Sequence, residues 1–180
     1  MNERRYTGDG EHFRSDRRRA RLPMDEILKL TLVGLDAGTV LDVGCGPGFW
    51  SEEFARLGYE VIGLDVNPSM VEKARTNVPA GRFHEAPMES LPLEDESVDI
   101  VFMGFVLHEA DDYVKALAEA RRVGRLRTVV LEHPPEQTDH GPPVSHRLTE
   151  TQVKQFAEQA GHTQTETTRL DDVILYRLGG

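Results

Sequence analysis

The chain has 180 residues, of which 38% are hydrophobic and 29% charged, as is typical of one globular domain with its own core. Its formal net charge of −10 disfavours nucleic acid as a partner. No apolar stretch approaches the roughly 20 residues of a membrane helix, no secretory signal opens the sequence, and the single cysteine, Cys45, cannot form an internal disulfide. We therefore expect one cytoplasmic domain over residues 1–180, without membrane insertion or nucleic-acid binding.

The N-terminal segment is polar and basic. Residues 1–22 are expected to form a mobile leader, in which Tyr6, His12 and Phe13 either fold over a cofactor as a lid or belong to a disordered tail. The segment contains a cluster of five arginines: Arg14, Arg17, Arg18, Arg19 and Arg21. This cluster has two interpretations, a solvated helix face that balances an acidic chain, or a site for a phosphate or carboxylate group on a substrate.

Strands and helices alternate along the rest of the chain, after a short helix that follows Pro23. Strands are predicted over residues 39–43, 60–65, 82–86, 98–104 and 126–133, and near 163–169 and 172–178. Helices are predicted over residues 49–57, 67–77, 112–123 and 149–160, the last opening with a capping box of Thr149 and Gln152. Alternation with almost wholly apolar strands predicts an α/β fold with a mainly parallel sheet.

A glycine-rich turn, GCGPG at residues 44–48, follows the first predicted strand directly. Its alternating glycines let a ligand lie against bare backbone, and Asp65, which ends the second strand, can accept hydrogen bonds from both hydroxyls of a ribose. Dinucleotide sites favour G-x-G-x-x-G, whereas Phe49 and Trp50 follow the turn here and would crowd a pyrophosphate. The spacing favours a ligand without phosphates, such as S-adenosylmethionine.

The segments VLDVGCGPG (40–48) and VIGLDVNPSMVEKAR (61–75) resemble the first two motifs of class I S-adenosylmethionine-dependent methyltransferases, and the resemblance continues through residues 86–112. Residues 141–161 are similar to small-molecule members of the methyltransferase-11 and ubiquinone-biosynthesis-like group. The resemblance implies a Rossmann-like three-layer α/β/α sandwich, with a seven-stranded, mainly parallel sheet whose last strand is antiparallel. It also implies methyl transfer from S-adenosylmethionine to a small-molecule acceptor, with S-adenosylhomocysteine as the product.

The resemblance further implies cofactor contacts at the strand ends. Asp42 would orient the glycine loop or receive the methionine ammonium, Asp65 would hold the ribose, and Val66 and Met70 would pack on the adenine. The other implied contacts are Gly44, Cys45, Gly46 and Gly48 in the loop, Met88 and Glu89 near the adenine, and Met103, Gly104 and Phe105 after the fourth strand. Pro87 stands where the family has an acid for the adenine amino group, so Glu89 or a backbone carbonyl is expected to make that contact.

His108, which follows the fourth strand, is the candidate general base, and the alternative is a histidine that packs or caps the next turn. Candidate acceptor contacts are His133, His146, Arg147, Arg14 and Tyr6. No metal site is predicted, because the spacing of the histidines in residues 133–146 matches no compact zinc pattern. Two other functions remain open: a non-enzymatic S-adenosylmethionine-binding regulatory protein, and a nicotinamide-dependent reductase, which the glycine spacing disfavours.

Overall fold

The computed structural model of the chain describes residues 3–6, 8 and 10–180. It contains a seven-stranded sheet of β1 Thr39–Val43, β2 Glu60–Asp65, β3 Arg82–Glu85, β4 Val98–Gly104, β5 Gly124–Glu132, β6 Gln164–Leu170 and β7 Val173–Gly179. The strand order is β3-β2-β1-β4-β5-β7-β6. Strand β7 runs antiparallel to both β5 and β6, and the other pairs are parallel, which confirms the predicted sheet.

The described part of the chain forms six α-helices: α1 Asp16–Arg21, α2 Met24–Leu32, α3 Phe49–Arg56, α4 Pro68–Asn77, α5 Tyr113–Val123 and α6 Glu150–Gln159. Helix α6 opens with the predicted capping box, in which the Thr149 hydroxyl accepts from the Gln152 N–H and the Gln152 amide oxygen accepts from the Thr149 N–H. Helix α1 was expected only under one interpretation of the arginine cluster, the solvated helix face, because it buries no side chain and so carries no apolar period.

The two larger apolar cores lie on opposite faces of the sheet. Ile100 and Phe102 of β4 pack with α2 and α3, whereas Val101 and Met103 of the same strand pack with α5 and α6. This alternation follows from the two-residue period of a strand, and it explains why the central strands carry apolar residues on both faces. The helices and sheet therefore form the predicted three layers. No helix in the described part of the chain has the length and apolar character to cross a bilayer.

The carboxyl ends of β1, β2, β4 and β5 lie at one edge of the sheet, because these strands are parallel neighbours. The segments that follow them, residues 44–48, 66–67, 105–110 and 133–143, are thereby brought together, as the strand pattern predicts. The N-terminal segment crosses the same edge, where Gly10 lies against the Met70 side chain and Phe13 lies near Gly46. Residues 1, 2, 7 and 9 of the predicted mobile leader are outside the described residues.

Candidate active site

The glycine loop is bent sharply and kept bare. Gly44 and Gly46 have φ of 67° and 52°, which non-glycine residues rarely adopt. A Cβ on Gly44 would lie 2.2 Å from Cγ2 of Val106, whereas the nearest atom to a Cβ on Gly46 belongs to Phe13, 3.9 Å away. Gly44 therefore permits close packing beneath the loop, and Gly46 leaves open space above it. Gly48 instead permits close packing of the loop against α4 and the residue after it, because a Cβ there would crowd Ala74 and Val78.

Asp65 holds this loop from the neighbouring strand. Its two carboxylate oxygens accept the backbone N–H groups of Gly46, at 2.9 Å, and of Asn67, at 2.8 Å. Burial raises the pKa of Asp65, while these backbone N–H groups oppose the shift. Beside it lies a crevice, which we call the Asp65 crevice, lined by Gly44, Asp65, Val66, Met88 and Glu89. Glu89 also accepts the Asp111 N–H at 2.7 Å, so its carboxylate fastens the segment after β4.

Several residues that the resemblance places at the cofactor are buried or covered by neighbouring residues. The Cys45 side chain is buried with Val71 and Phe83, so only its backbone belongs to the loop surface. Met103 is fully buried in the sheet core. Gly104 lies against the Trp50 indole, and Met70 is covered by Gly10. Phe105 does reach the strand-end edge, with a φ of 59°, unusual for a non-glycine residue.

Asp42 lies beneath the glycine loop and is almost wholly buried. Its Oδ2 accepts the Ser51 hydroxyl at 2.6 Å, and no described residue donates to its Oδ1. Burial raises the pKa of Asp42 to about 7, and the Ser51 hydrogen bonds only partly offset this effect. The acid is therefore close to titration at neutral pH, and its free oxygen is the kind of buried polar atom that a cationic ligand group can satisfy.

Asp42→Asn is expected to stabilise the ligand-free protein above pH 7 and to change little below pH 4. The pKa of Asp42 is higher in the folded state than in the unfolded state, so the folded state binds this proton more tightly and protonation stabilises the fold at low pH. This stabilisation is lost as the pH rises through about 7. The loss is on the order of 4 kcal/mol between pH 4 and pH 8. Urea unfolding at both pH values measures it, and an equal effect of the substitution at both would contradict the shifted pKa.

A larger cavity of about 1000 Å³ adjoins the Asp65 crevice. Its lining includes Tyr6, Phe105, His108, His133 and His146, and we call it the His108 cavity. Arg5 and Glu109 line both spaces, so they stand at the boundary between the crevice and the cavity. Among the described residues, no three His, Cys, Asp or Glu side chains are grouped to hold a metal ion.

His108, which lines the cavity, forms a buried pair with Glu132. The Glu132 carboxylate lies 2.9 Å and 3.1 Å from Nδ1 of His108 and accepts the His108 backbone N–H at 3.0 Å. Nε2 of His108 lies 3.9 Å from the Glu109 carboxylate. Burial lowers the pKa of His108, but the charge and hydrogen bonds of Glu132, with Glu109, outweigh burial and raise it above its ordinary value. Burial raises the pKa of Glu109.

His133 forms an uncharged wall of the cavity. Its ring lies 4.5 Å from the Phe105 ring, and its other contacts include the backbone of Gly141. Burial lowers the pKa of His133 to about 4, so this imidazole is neutral at pH 7. It therefore contributes shape and an uncharged ring to the cavity, whereas His108 contributes a titratable group.

The other candidate acceptor contacts separate into two groups. Tyr6 and His146 line the cavity, and Tyr6 also donates its backbone N–H to Glu109 at 3.2 Å. Arg14 and Arg147 do not line it. Arg14 forms an ion pair with Glu52 at 3.0 Å and donates to the Gly48 carbonyl, so it fastens the N-terminal segment to the glycine loop.

Arg147 is buried and organises the loop after β5. Its guanidinium donates to the carbonyls of four loop residues and to one hydroxyl: Pro134, Glu136, His140, Pro142 and the Thr138 side chain. We expect Arg147→Met to lower the free energy of unfolding by about 2–4 kcal/mol, because these oxygens lose their donor. Arg169→Met is the matched control, since Arg169 forms only an exposed ion pair with the same loop. Equal urea midpoints for the two variants would disprove this role.

Three contributors to the site were missed from sequence. Glu132 ends an apolar strand as its only acid, and a charged residue in the run TVVLE was a usable signal. Glu109 and Arg5 carried no such signal, because their places at the cavity boundary depend on how the N-terminal segment folds across the sheet edge.

The sheet order, the glycine loop after β1 and the acid at the end of β2 together define the Rossmann-like fold of class I methyltransferases. Residues 41–129 match the family model described as a methyltransferase domain. The chain is 36% identical over 92 residues to a malonyl-[acyl-carrier protein] O-methyltransferase of Hamiltonella defensa, and 38% identical over 92 residues to that of Yersinia pestis. These matches cover 51% of the chain but only 36% and 34% of the two relatives, about a third of their length.

Solved structures agree over nearly the whole chain. A SAM-dependent methyltransferase from Aquifex aeolicus superposes with a TM-score of 0.82 and 25% identity, covering 96% of this chain and 98% of that one. An S-adenosylmethionine-dependent methyltransferase from Mesorhizobium loti shares the fold, with a TM-score of 0.71, 15% identity and coverage of 89% and 99%. The chain therefore contains a class I S-adenosylmethionine-dependent methyltransferase domain, which confirms the predicted resemblance and cofactor.

The residues present fit this cofactor. The bare backbone at Gly46, the free Oδ1 of Asp42 and the Asp65 carboxylate at the crevice offer contacts for an adenosine that carries an ammonium instead of phosphates. Val66 and Met88 add apolar surface to the same crevice. These residues were predicted from sequence, most of them because they lie in the glycine turn or directly at the end of a strand.

Proposed function

We propose that the chain transfers a methyl group from S-adenosylmethionine to a small-molecule acceptor bound in the His108 cavity. The observation that carries the proposal is the shared boundary of the two spaces, where Arg5 and Glu109 line both the Asp65 crevice and the cavity. A cofactor in the crevice and an acceptor in the cavity would meet at that boundary. Proximity of this kind supplies much of the rate enhancement in group transfer.

S-adenosylmethionine supplies a methyl group that its sulfonium already activates, so the chain's own residues need chiefly to orient the acceptor and exclude water. His108 is the proposed general base. Because the Glu132 carboxylate accepts a hydrogen bond from Nδ1 of His108, Nε2 is the ring nitrogen that remains to take a proton from the acceptor. Glu132 is then a positioning residue that fixes the tautomer and the ring orientation of His108.

The N-terminal segment is the proposed lid over both spaces. Arg4 donates to the Ala110 carbonyl at 2.7 Å, Arg5 pairs with Asp111 at 2.5 Å, and Tyr6 donates to Glu109 at 3.2 Å. These contacts tie the segment to the residues that follow β4, next to His108. Opening and closing of such a lid would admit ligands and then shield the reacting atoms from water.

The test is release of S-adenosylhomocysteine, measured by mass spectrometry, when the protein and S-adenosylmethionine are mixed with single acceptors. The panel comprises carboxylic acids, phenols, amines and thiols, and a malonyl thioester because two relatives carry malonyl in their names. We expect release that depends on one acceptor class and stops when the acceptor is left out. Tight binding of S-adenosylhomocysteine without release for any acceptor would favour a non-enzymatic binding protein instead.

A further inference from the structure

The arginine cluster near the N-terminus divides into two groups. Arg14 and Arg19 face α3, where they pair with Glu52, at 3.0 Å and 3.3 Å, and Arg19 also contacts Glu53. Arg17, Arg18 and Arg21 instead line the His108 cavity. Among the side chains that the structure describes, no carboxylate lies within ion-pair distance of these three. The first group attaches the segment to the domain, and the second forms no ion pair with any described side chain.

Arg18 is the clearest case of an arginine that pairs with no described carboxylate. Its guanidinium is partly buried, 4.9 Å from the ring centres of Phe13 and Phe49 and 5.5 Å from that of Phe105. Its hydrogen bond to the Phe13 carbonyl is long, at 3.4 Å. Burial lowers the pKa of Arg18 to about 10, helped by Arg21 and weakly opposed by Asp42.

Ring faces offset only part of the cost of burying a cation. The chain has 31 acidic residues against 21 lysines and arginines, so acids were abundant to pair with Arg18. The acids that do line the cavity, Glu3, Glu109, Asp139 and Asp172, form no ion pair with the three arginines. An anion that enters the cavity would supply the missing charge.

We propose that the methyl acceptor is an anion, a small molecule with a carboxylate or phosphate group that is bound by Arg18, with Arg17 and Arg21 beside it. This inference rests on the proposed function, because it assigns the acceptor to the His108 cavity. A guanidinium binds either group through paired N–H donors, and its flat face can remain stacked on the aromatic rings. The anionic group anchors the acceptor at the α1 side of the cavity, and the rest of the molecule extends toward His108.

The test is calorimetric titration of the protein, saturated with S-adenosylhomocysteine, with malonate, inorganic phosphate or uncharged malonamide. We expect malonate or phosphate to bind and malonamide not to bind, and the stronger of the two identifies the anionic group. Arg18→Gln should weaken that binding about 10- to 100-fold. Arg82→Gln is the control for net charge, since Arg82 lies on β3 in an exposed pair with Glu60, and it should leave the affinity unchanged.

A thermal melt separates a binding role for Arg18 from a structural one. Removing a partly buried cation that pairs with no described carboxylate should leave the melting temperature of ligand-free Arg18→Met unchanged or raise it, whereas removing a structural arginine would lower it. Equal binding of malonate and malonamide, no binding of either anion, or undiminished binding by Arg18→Gln would overturn the anionic acceptor while the proposed function stands. Failure to bind S-adenosylhomocysteine would instead overturn the proposed function.

Discussion

His108→Gln is expected to lower kcat by about 10²- to 10⁴-fold, the range for loss of a general base. Glutamine can still hydrogen-bond to Glu132 but cannot take a proton from the acceptor. The affinity for S-adenosylhomocysteine should stay unchanged, because His108 lines the cavity and not the Asp65 crevice. His162→Gln is the matched control, since His162 is also buried but bonds to the Leu117 carbonyl. A variant at His108 that keeps the full kcat would remove this residue from the mechanism.

The pH profile of kcat supplies a second readout for the same pair. The imidazole accepts a proton only when neutral, so kcat should rise with pH through the pKa of His108, which lies above its ordinary value. Glu132→Gln removes the charge that raises this pKa, so the rising limb should move to lower pH. A purely structural role for Glu132 would change stability and leave the limb where it was.

Asp65→Ala is expected to weaken S-adenosylhomocysteine binding by about 100-fold or more. The change removes the acceptor for the Gly46 and Asn67 N–H groups, which shape the loop, and the proposed acceptor for the ribose hydroxyls. Charge-assisted hydrogen bonds are worth about 1.5–3 kcal/mol each, so losing one or two of them accounts for this factor. Isothermal titration calorimetry measures the change.

Glu60→Ala serves as its control, because Glu60 is an exposed carboxylate at the opposite end of the same strand. That variant should bind S-adenosylhomocysteine as the unmodified protein does. A folded Asp65→Ala protein with unchanged affinity would mean that the cofactor does not contact the end of β2. That result would contradict the assignment of the Asp65 crevice as the cofactor site.

The sheet and the cofactor loop were predictable because their signals are local. The run TVLDV is apolar enough to be recognised as a buried strand on its own. The glycines that follow it indicate, within a few residues, a turn with exposed backbone. A parallel sheet places the carboxyl ends of its strands at one edge, so no long-range contact had to be predicted to bring these ends together. Asp65, at the end of β2, needed only this reasoning to be placed beside the loop.

The remaining parts depend on tertiary contacts that no short pattern encodes. The pairing of His108 with Glu132 comes from the packing of the segment after β4 against the end of β5, 24 residues later. Arg147 looked like an acceptor contact, but its hydrogen bonds go to loop carbonyls whose positions are set only by the folded loop. The division of the arginine cluster likewise depends on where α3 presents Glu52 and Glu53.

The most direct test of the central claim is calorimetric titration of the unmodified protein with S-adenosylmethionine, S-adenosylhomocysteine and NADH. We expect the two sulfur ligands to bind at a single site and NADH not to compete with them. Absence of binding by both sulfur ligands, or a preference for NADH, would contradict the assignment of the glycine loop and Asp65 to S-adenosylmethionine.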